Sequence, residues 1–299
     1  MHERRRNAPD IGIARNGNES LAIAEALKLI QADNLINSSD VVVITPNWVQ
    51  QQTPQTGVVV GPDSLREIIR FAKGKNPRRV VIATGSGEKD TAEIMKASGF
   101  DKVIQSEGVE FIDLNKGPFT RIQLNHDFPS ATNVNKLYDE MTFLISFTQL
   151  KYHQEAALSA GIKNITMGWP PAEEHGHPKM NQGIHKNLHG FIRAMAQKIS
   201  IDLSIVSAQP AMVATGPSGG IPVHTGIVIS GTDAAAVDTI GARLLGFKPQ
   251  AIYYLYDCIN NGIGVGDVSH MNIKGLSLTD AEKAFSTAVY NIPVAIDSK

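Results

Sequence analysis

Between Lys151 and His189 the chain gathers five of its nine histidines, two lysines in unusual settings, the adjacent acids Glu173 and Glu174, and the helix-breaking pair Pro170-Pro171. Histidine titrates near neutrality, which suits His153 to general-base work or to metal ligation. Lys151 follows directly on an apolar run, and Lys163 lies in Ser159-Ala160-Gly161-Ile162-Lys163-Asn164. A lysine held at the edge of a core has a lowered pKa and can serve as a base, a Schiff-base former or an anion clamp; structural ion pairing is the competing reading. His175-Gly176-His177 and the pair His185/His189 have spacings that can converge on one ion, since residues i and i+4 of a helix share a face. Imidazole suits zinc, nickel, iron or copper, with Glu173 or Glu174 completing the shell. Solvated surface histidines are the alternative.

Two glycine clusters could supply backbone N–H groups. Gly85-Ser86-Gly87 follows a strand pattern and precedes a helix pattern, as at the start of a dinucleotide fingerprint. The third glycine position holds Asp90, whose carboxylate repels a pyrophosphate, so a tight strand-to-helix turn facing a site is the better reading. Thr215-Gly216-Pro217-Ser218-Gly219-Gly220 is either an anion-binding nest or a turn between strand segments.

The elements that must position these groups are set by periodicity. Glu19 to Ile30 has helical spacing of apolar residues. Asp40 to Thr45, Arg79 to Thr84 and Met141 to Phe147 read as buried strands of a parallel sheet. Helices over Pro62–Lys73 and Asp90–Ala97 alternate with them, which defines an α/β, Rossmann-like fold with a mostly parallel sheet and crossover helices. Glu110–Leu114 and Thr120–Leu124 read as a hairpin or a sheet-edge excursion around Asn115-Lys116-Gly117-Pro118. The histidine-rich stretch starts at the carboxyl end of the Met141–Phe147 strand, where open α/β sheets place ligands. A helix is expected to begin as early as Gly183 and run to Ile199. Beyond it come strands at Asp202–Ser207, Gly226–Ser230 and Asn272–Leu276. The expected helices are one capped by Thr232 or Asp233, one over Gln250–Asn260, and Thr279–Ala288 with Thr279 as cap and Glu282 completing a capping box. In domain terms, residues 1–36 form an N-terminal segment with an amphipathic helix and 37–299 one α/β unit. Its boundary, if there are two lobes, falls at 168–183.

The 299 residues are long enough to bury a large core, and Lys+Arg 28 against Asp+Glu 29 gives a net charge of −1. That balance leaves no electrostatic footprint for nucleic acid or an anionic membrane. The one basic cluster, His2 to Arg6, reads as a solvated terminus. A single cysteine, Cys258, set among Tyr253, Tyr254, Leu255 and Tyr256, reads as a buried structural thiol and excludes an intrachain disulfide. No apolar run reaches membrane-spanning length and the start lacks an apolar signal core, so a cytoplasmic protein is expected.

Several of these residues carry a resemblance. Asn47 after a strand, Lys151-x-His153, Gly161-x-Lys163-Asn164 with Gly168, and His177 resemble the pattern of the domain-of-unknown-function 362 (DUF362) family. Gly216-Pro217 with Gly219, then Asp233, Ala236-Val237-Asp238 and Gly262-Ile263-Gly264 match its closing segments. That family is in turn distantly similar to the nickel-pincer lactate racemases. Ala83-Thr84-Gly85-Ser86 repeats their A-T-G-T-H element up to the histidine, which falls on Gly87 here, and His153 to Lys163 repeats their H-Y-F-A-G-F-S-G-G-P-K segment. The resemblance implies a divalent metal or a nickel-pincer-like cofactor served by the histidine and the lysine. With Gly87 in place of the proton-transfer histidine, racemisation by two opposed histidines lacks one of them.

The expected site is a cleft for a small anionic ligand, a metal or an organometallic cofactor. His153, Lys163 and Lys151 are its catalytic candidates. Asn47, Thr84, Gly85, Ser86, Gly87, Gly216, Gly219 and Gly220 are the cofactor-binding candidates, and His153, His177 and His175 the metal ligands. Asp238 is a further residue that could face it. Two function classes stand: a racemase-like, isomerase-like or redox-linked enzyme, and a non-catalytic carrier of a metal or cofactor. Either is compatible with a separate redox partner subunit or a homo-oligomer.

Overall fold

The computed structural model describes residues 3–48 and 50–297. The twelve strands are β1 (Asp10–Arg15), β2 (Val41–Pro46), β3 (Arg79–Thr84), β4 (Glu110–Asp113), β5 (Phe119–Gln123), β6 (Ala131–Asn135), β7 (Phe143–His153), β8 (Ala157–Ser159), β9 (Leu203–Val213), β10 (Ile221–Val223), β11 (Ile227–Gly231) and β12 (Asn272–Gly275). Ten of them form one sheet in the order β12-β1-β11-β9-β7-β2-β3-β4, with β8 paired to β7 and β10 to β9. The run β9-β7-β2-β3-β4 is parallel throughout. β11 is antiparallel to both β9 and β1, so the expected mostly parallel α/β sheet is present with an antiparallel insertion toward one edge. Chain order moves outward from β2 to β3 and β4 on one side and from β2 to β7 and β9 on the other. The carboxyl ends of β2 and β7 therefore flank a switch point, the usual place for a ligand crevice.

The apolar runs explain the layering. Along β2, Val41 and Val43 join one buried cluster while Val42 and Ile44 join the other, because successive strand side chains point to opposite faces. One cluster is covered by the helices Leu188–Ala196, Ala234–Leu244 and Leu278–Tyr290; the other lies under Glu19–Leu29 and Pro62–Lys73. Each fully buried valine or isoleucine contributes roughly 1.5–3 kcal/mol. That is why a strand buried on both faces must be apolar almost throughout.

Several expectations are corrected. Of the two readings of Glu110–Leu114 and Thr120–Leu124 the hairpin does not form: β4 is the edge strand of the main sheet beside β3, as a sheet-edge piece would be, and β5 pairs with β6 as a separate two-stranded ribbon. The Met141–Phe147 strand runs on to His153, so Lys151 and His153 sit on the strand itself. No single helix spans Gly183 to Ile199. Gln182 and Gly183 take positive φ within a 3-10 segment, and a new helix starts at Leu188, capped by Asn187. The last helix starts earlier than Thr279, with Ser277 as its cap and Asp280 as the reciprocal partner. β1 is not marked in the sequence, because six residues before a helix carry too little pattern. Cys258 is buried as expected, and burial pushes its thiol up to about 12.

The basic terminus is not a solvated tail. Arg4 pairs with Asp233 at 2.7 Å, Arg5 with Asp40 at 2.6 Å and Arg6 with Asp10 at 2.9 Å. His2, the first residue of that cluster, lies outside the described residues. Among the described residues no helix is long and apolar enough to cross a membrane.

Candidate functional site

β7 carries the first part of the site. A register irregularity between Gln149 and Lys151 in its pairing with β9 re-aims the strand just before Lys151. Lys151 is 1% exposed, and its Nζ donates to Asn47 Oδ1 and to the Val58 carbonyl, both at 2.8 Å. Asn47 follows the end of β2, and its Nδ2 donates to Asn164 Oδ1 at 3.1 Å. Asn164 Nδ2 in turn donates to the Thr45 carbonyl at 2.9 Å and to Ser146 Oγ at 3.1 Å. This relay fixes both amide orientations and holds the Lys151 ammonium with its third N–H unclaimed among the described residues.

β7 turns back into β8, placing Lys151 opposite Ser159 and His153 opposite Ala157. His153 Nδ1 accepts the backbone N–H of Glu155 and of Ala156, each at 3.1 Å. That leaves the ring proton on Nε2. Burial, helped by the charges of Lys163 and Lys151, lowers the His153 pKa to about 3, so the ring is neutral and presents an N–H donor.

The helix Gly161–Gly168 follows β8 immediately. Its first N–H groups, on Gly161 and Ile162, donate to the buried Asp238 carboxylate at 2.8 and 3.1 Å. A Cβ on Gly161 would run into Ser204 Oγ, so glycine alone permits this close entry. Asp238 therefore anchors the site's helix from behind and does not face the cavity; burial raises its pKa to about 7 despite those two N–H groups. The helix presents Lys163, whose Nζ has no hydrogen-bond partner among the described residues. Burial brings Lys163 down to about 8, with the Glu155 charge opposing, and Lys151 to about 7, with the Lys163 charge adding.

Lys179 is the cavity residue that sequence reasoning missed. It is 5% exposed, and its Nζ donates to the carbonyls of Gly168 at 3.0 Å, Gly85 at 3.1 Å and Met167 at 3.4 Å. Two of these are the free carbonyls at the end of the site's helix, a favourable place for a cation. Burial draws Lys179 toward about 7, yet three acceptors require three N–H donors, so this arrangement is that of the ammonium form. Its only sequence signal is a lysine in the proline- and glycine-rich turn after His177, with no periodicity to mark it.

These groups enclose a cavity of about 370 Å³ lined by Asn47, Gly85, Gly87, Lys151, Lys163 and Lys179, together with Ser159, Glu88, His185 and Pro217. Of the glycine-loop candidates, Gly85 and Gly87 reach it. Thr84 is buried at the end of β3, and Ser86 turns inward, its Oγ accepting the Glu88 N–H. Gly216 packs on the Tyr152 carbonyl, Gly220 packs on the Thr215 carbonyl, and Gly219 is exposed; the cavity lining from that loop is Pro217.

The histidines separate. His175 is fully buried, its Nε2 2.8 Å from Thr132 Oγ1 and its ring edge-on to Phe191. His177 is exposed, and the segment that carries it delivers Lys179 to the cavity. His153 is not among the lining residues. His189 Nδ1 accepts the Tyr254 N–H, whereas His185 lines the cavity with Nδ1 2.9 Å from both oxygens of Glu155. Thus His185 and His189 occupy different segments and have different partners, and the i,i+4 pair does not form. Among the described residues no three His, Cys, Asp or Glu side chains gather as a metal-ion set. Ammonium groups are not metal ligands, and the His153 Nδ1 lone pair is already taken. The described residues thus form no protein cage for a divalent ion here, and His153 is not placed to ligate the metal of a nickel-pincer-like cofactor at this cavity.

The architecture is that of an α/β protein with a lysine-lined cavity at the carboxyl edge of a mostly parallel sheet. The profile of the family described as "Domain of unknown function (DUF362)" matches residues 42–243, and the chain belongs to that family. Among solved structures, the chain is similar to the lactate racemase apoprotein from Thermoanaerobacterium thermosaccharolyticum, with 21% identity and a TM-score of 0.41. The match covers 67% of this chain and 50% of that one, so the chain spans about half the length of that structure. No curated protein matches.

Proposed function

We propose that the protein binds a small organic or inorganic anion, a carboxylate or a phosphate, in the cavity between Asn47, Lys151, Lys163 and Lys179. The observation that carries this reading is that three lysines converge there and none forms an ion pair among the described residues, although Arg4, Arg5 and Arg6 at the amino terminus each have a carboxylate. Burying ammonium groups without counter-charge is costly, and a bound anion offsets that cost. Lys151 and Lys163 supply the N–H donors, and Lys179 adds charge while its own donors are engaged. The cavity is at the lower end of the usual ligand-site volume, which suits a compound of few atoms.

Thermal unfolding in the presence of phosphate, acetate or pyruvate tests the reading. At least one of these anions raises the melting temperature of the wild type, and Lys163→Ala and Lys151→Met each lose that rise. Equal stabilisation of the wild type and both variants overturns the assignment.

A further inference from the structure

Three features of the cavity go beyond holding an anion. Lys163 Nζ is the one cavity amine with no hydrogen-bond partner among the described residues. Lys151 and Lys179, by contrast, spend donors on Asn47, Val58 and backbone carbonyls. His185 lines the same cavity, and the Glu155 carboxylate grips its Nδ1 with both oxygens at 2.9 Å. That grip places the proton on Nδ1 and leaves the Nε2 lone pair free to accept one, as in other carboxylate-oriented histidines. Glu155 is also close enough to Lys163 for its charge to act on the amine.

We propose that the cavity takes small oxo acids: Lys163 Nζ condenses with the carbonyl carbon, and His185, oriented by Glu155, moves the proton on the adjacent carbon. The proposal rests on the anion-binding reading, since the Lys151 ammonium with its unclaimed N–H holds the carboxylate while the carbonyl meets Lys163. The neutral amine forms a C–N bond to the carbonyl carbon. One proton moves from the nitrogen to the oxygen and a second is taken up from solvent, to be released again on hydrolysis, so that the carbonyl oxygen leaves as water and an iminium remains. His185 Nε2 then accepts the α-proton, the C–H electron pair moves toward the iminium nitrogen, and an enamine results. Return of a proton from His185 and hydrolysis restore the amine and the oxo acid, so the cycle needs no oxidant or reductant. Burial lowers Lys163 to about 8, so more of it is the neutral amine of the first step than at an ordinary lysine, while the two acceptors on Lys151 and the bound carboxylate favour the ammonium form there. His185 is a catalytic residue in this scheme and Glu155 a positioning residue.

The test uses the intact protein with pyruvate or glyoxylate as probe. With cyanoborohydride present, the expected product is one reduced adduct per chain on the peptide containing Lys163, and none in Lys163→Arg or Lys163→Met. In D₂O with pyruvate, the wild type exchanges methyl protons. His185→Gln lowers that exchange by at least about 100-fold, the low end of general acid–base catalysis. Glu155→Gln falls toward the same level and Glu155→Asp recovers part of it, which a merely structural role would not do. Absence of the adduct, or its even spread over surface lysines, while pyruvate still raises the melting temperature, overturns the imine and leaves anion binding standing. No adduct and no stabilisation sinks both. An adduct on Lys163 with unchanged exchange in His185→Gln overturns the assignment of His185.

Discussion

Two clusters of cations sit in this molecule, and their partners differ. At the amino terminus Arg4, Arg5 and Arg6 each meet a carboxylate, on Asp233, Asp40 and Asp10, and stitch the first residues to the sheet and to a helix start. At the carboxyl ends of β2, β3 and β7, Lys151 and Lys179 meet amide and carbonyl oxygens, and Lys163 meets no hydrogen-bond partner among the described residues. Charge that is paired within the chain holds the fold. Charge held away from water without a directly paired carboxylate costs stability, and a bound anion would offset that cost. The contrast separates a structural clamp from the proposed binding site.

The strongest way to break that comparison is to exchange the behaviour of the two clusters. Asp40→Ala strips the acceptor from Arg5, Asn37 and Thr142 together and costs about 3 kcal/mol, read from urea unfolding. Lys151→Met should do the opposite in anion-free buffer, leaving stability unchanged or raised. Equal destabilisation by both would erase the distinction. Next in size, Lys163→Ala removes a charge-assisted contact of about 1.5–3 kcal/mol and weakens anion affinity roughly 10- to 100-fold by calorimetry.

A third, smaller effect is in the pH dependence. The folded values of Lys151 and Lys163 lie near 7 and 8, below the ordinary lysine value of 10.5. Between those values and 10.5 the unfolded chain binds more protons than the folded one, so stability without anion rises with pH across that window. For Lys151 the slope approaches about 1.4 kcal/mol per pH unit. Anion affinity has the opposite sign, falling as pH rises through 7 to 8 because the ammonium groups are lost. A pH series of melting curves, with and without phosphate, checks both signs, and Lys151→Met flattens the anion-free series. Smallest of all, His177→Ala at an exposed position changes stability by less than about 0.5 kcal/mol and leaves anion stabilisation intact. A large loss there would bring His177 back into the site.

Much of the framework was legible in the sequence because it depends on short-range patterns. The apolar runs ending at Thr45, Thr84 and Phe147 identify buried strands, and Pro62 and Asp90 mark helix starts. The same runs place Asn47, Gly85, Gly87 and Lys151 near one sheet edge, since the carboxyl ends of parallel strands all open on a common side. The lysine at 163 stood out because a charge among small residues is locally anomalous. The partnership of β5 with β6, and of β4 with β3, was not legible, because strand pairing depends on distant hydrogen bonds and not on the strand's own composition.

What the sequence by itself determined is the α/β alternation, the sheet edge that bears the cavity, and the presence there of Lys151 and Lys163. Only the tertiary structure decided which cations are paired. Arg4 finds Asp233 across most of the chain, Lys179 is carried into the cavity by a turn with no repeating pattern, and His185 parts from His189 to join Glu155. The physical reason is that the free energy of a buried charge depends on the few atoms that surround it in space. Separation along the chain does not set that distance.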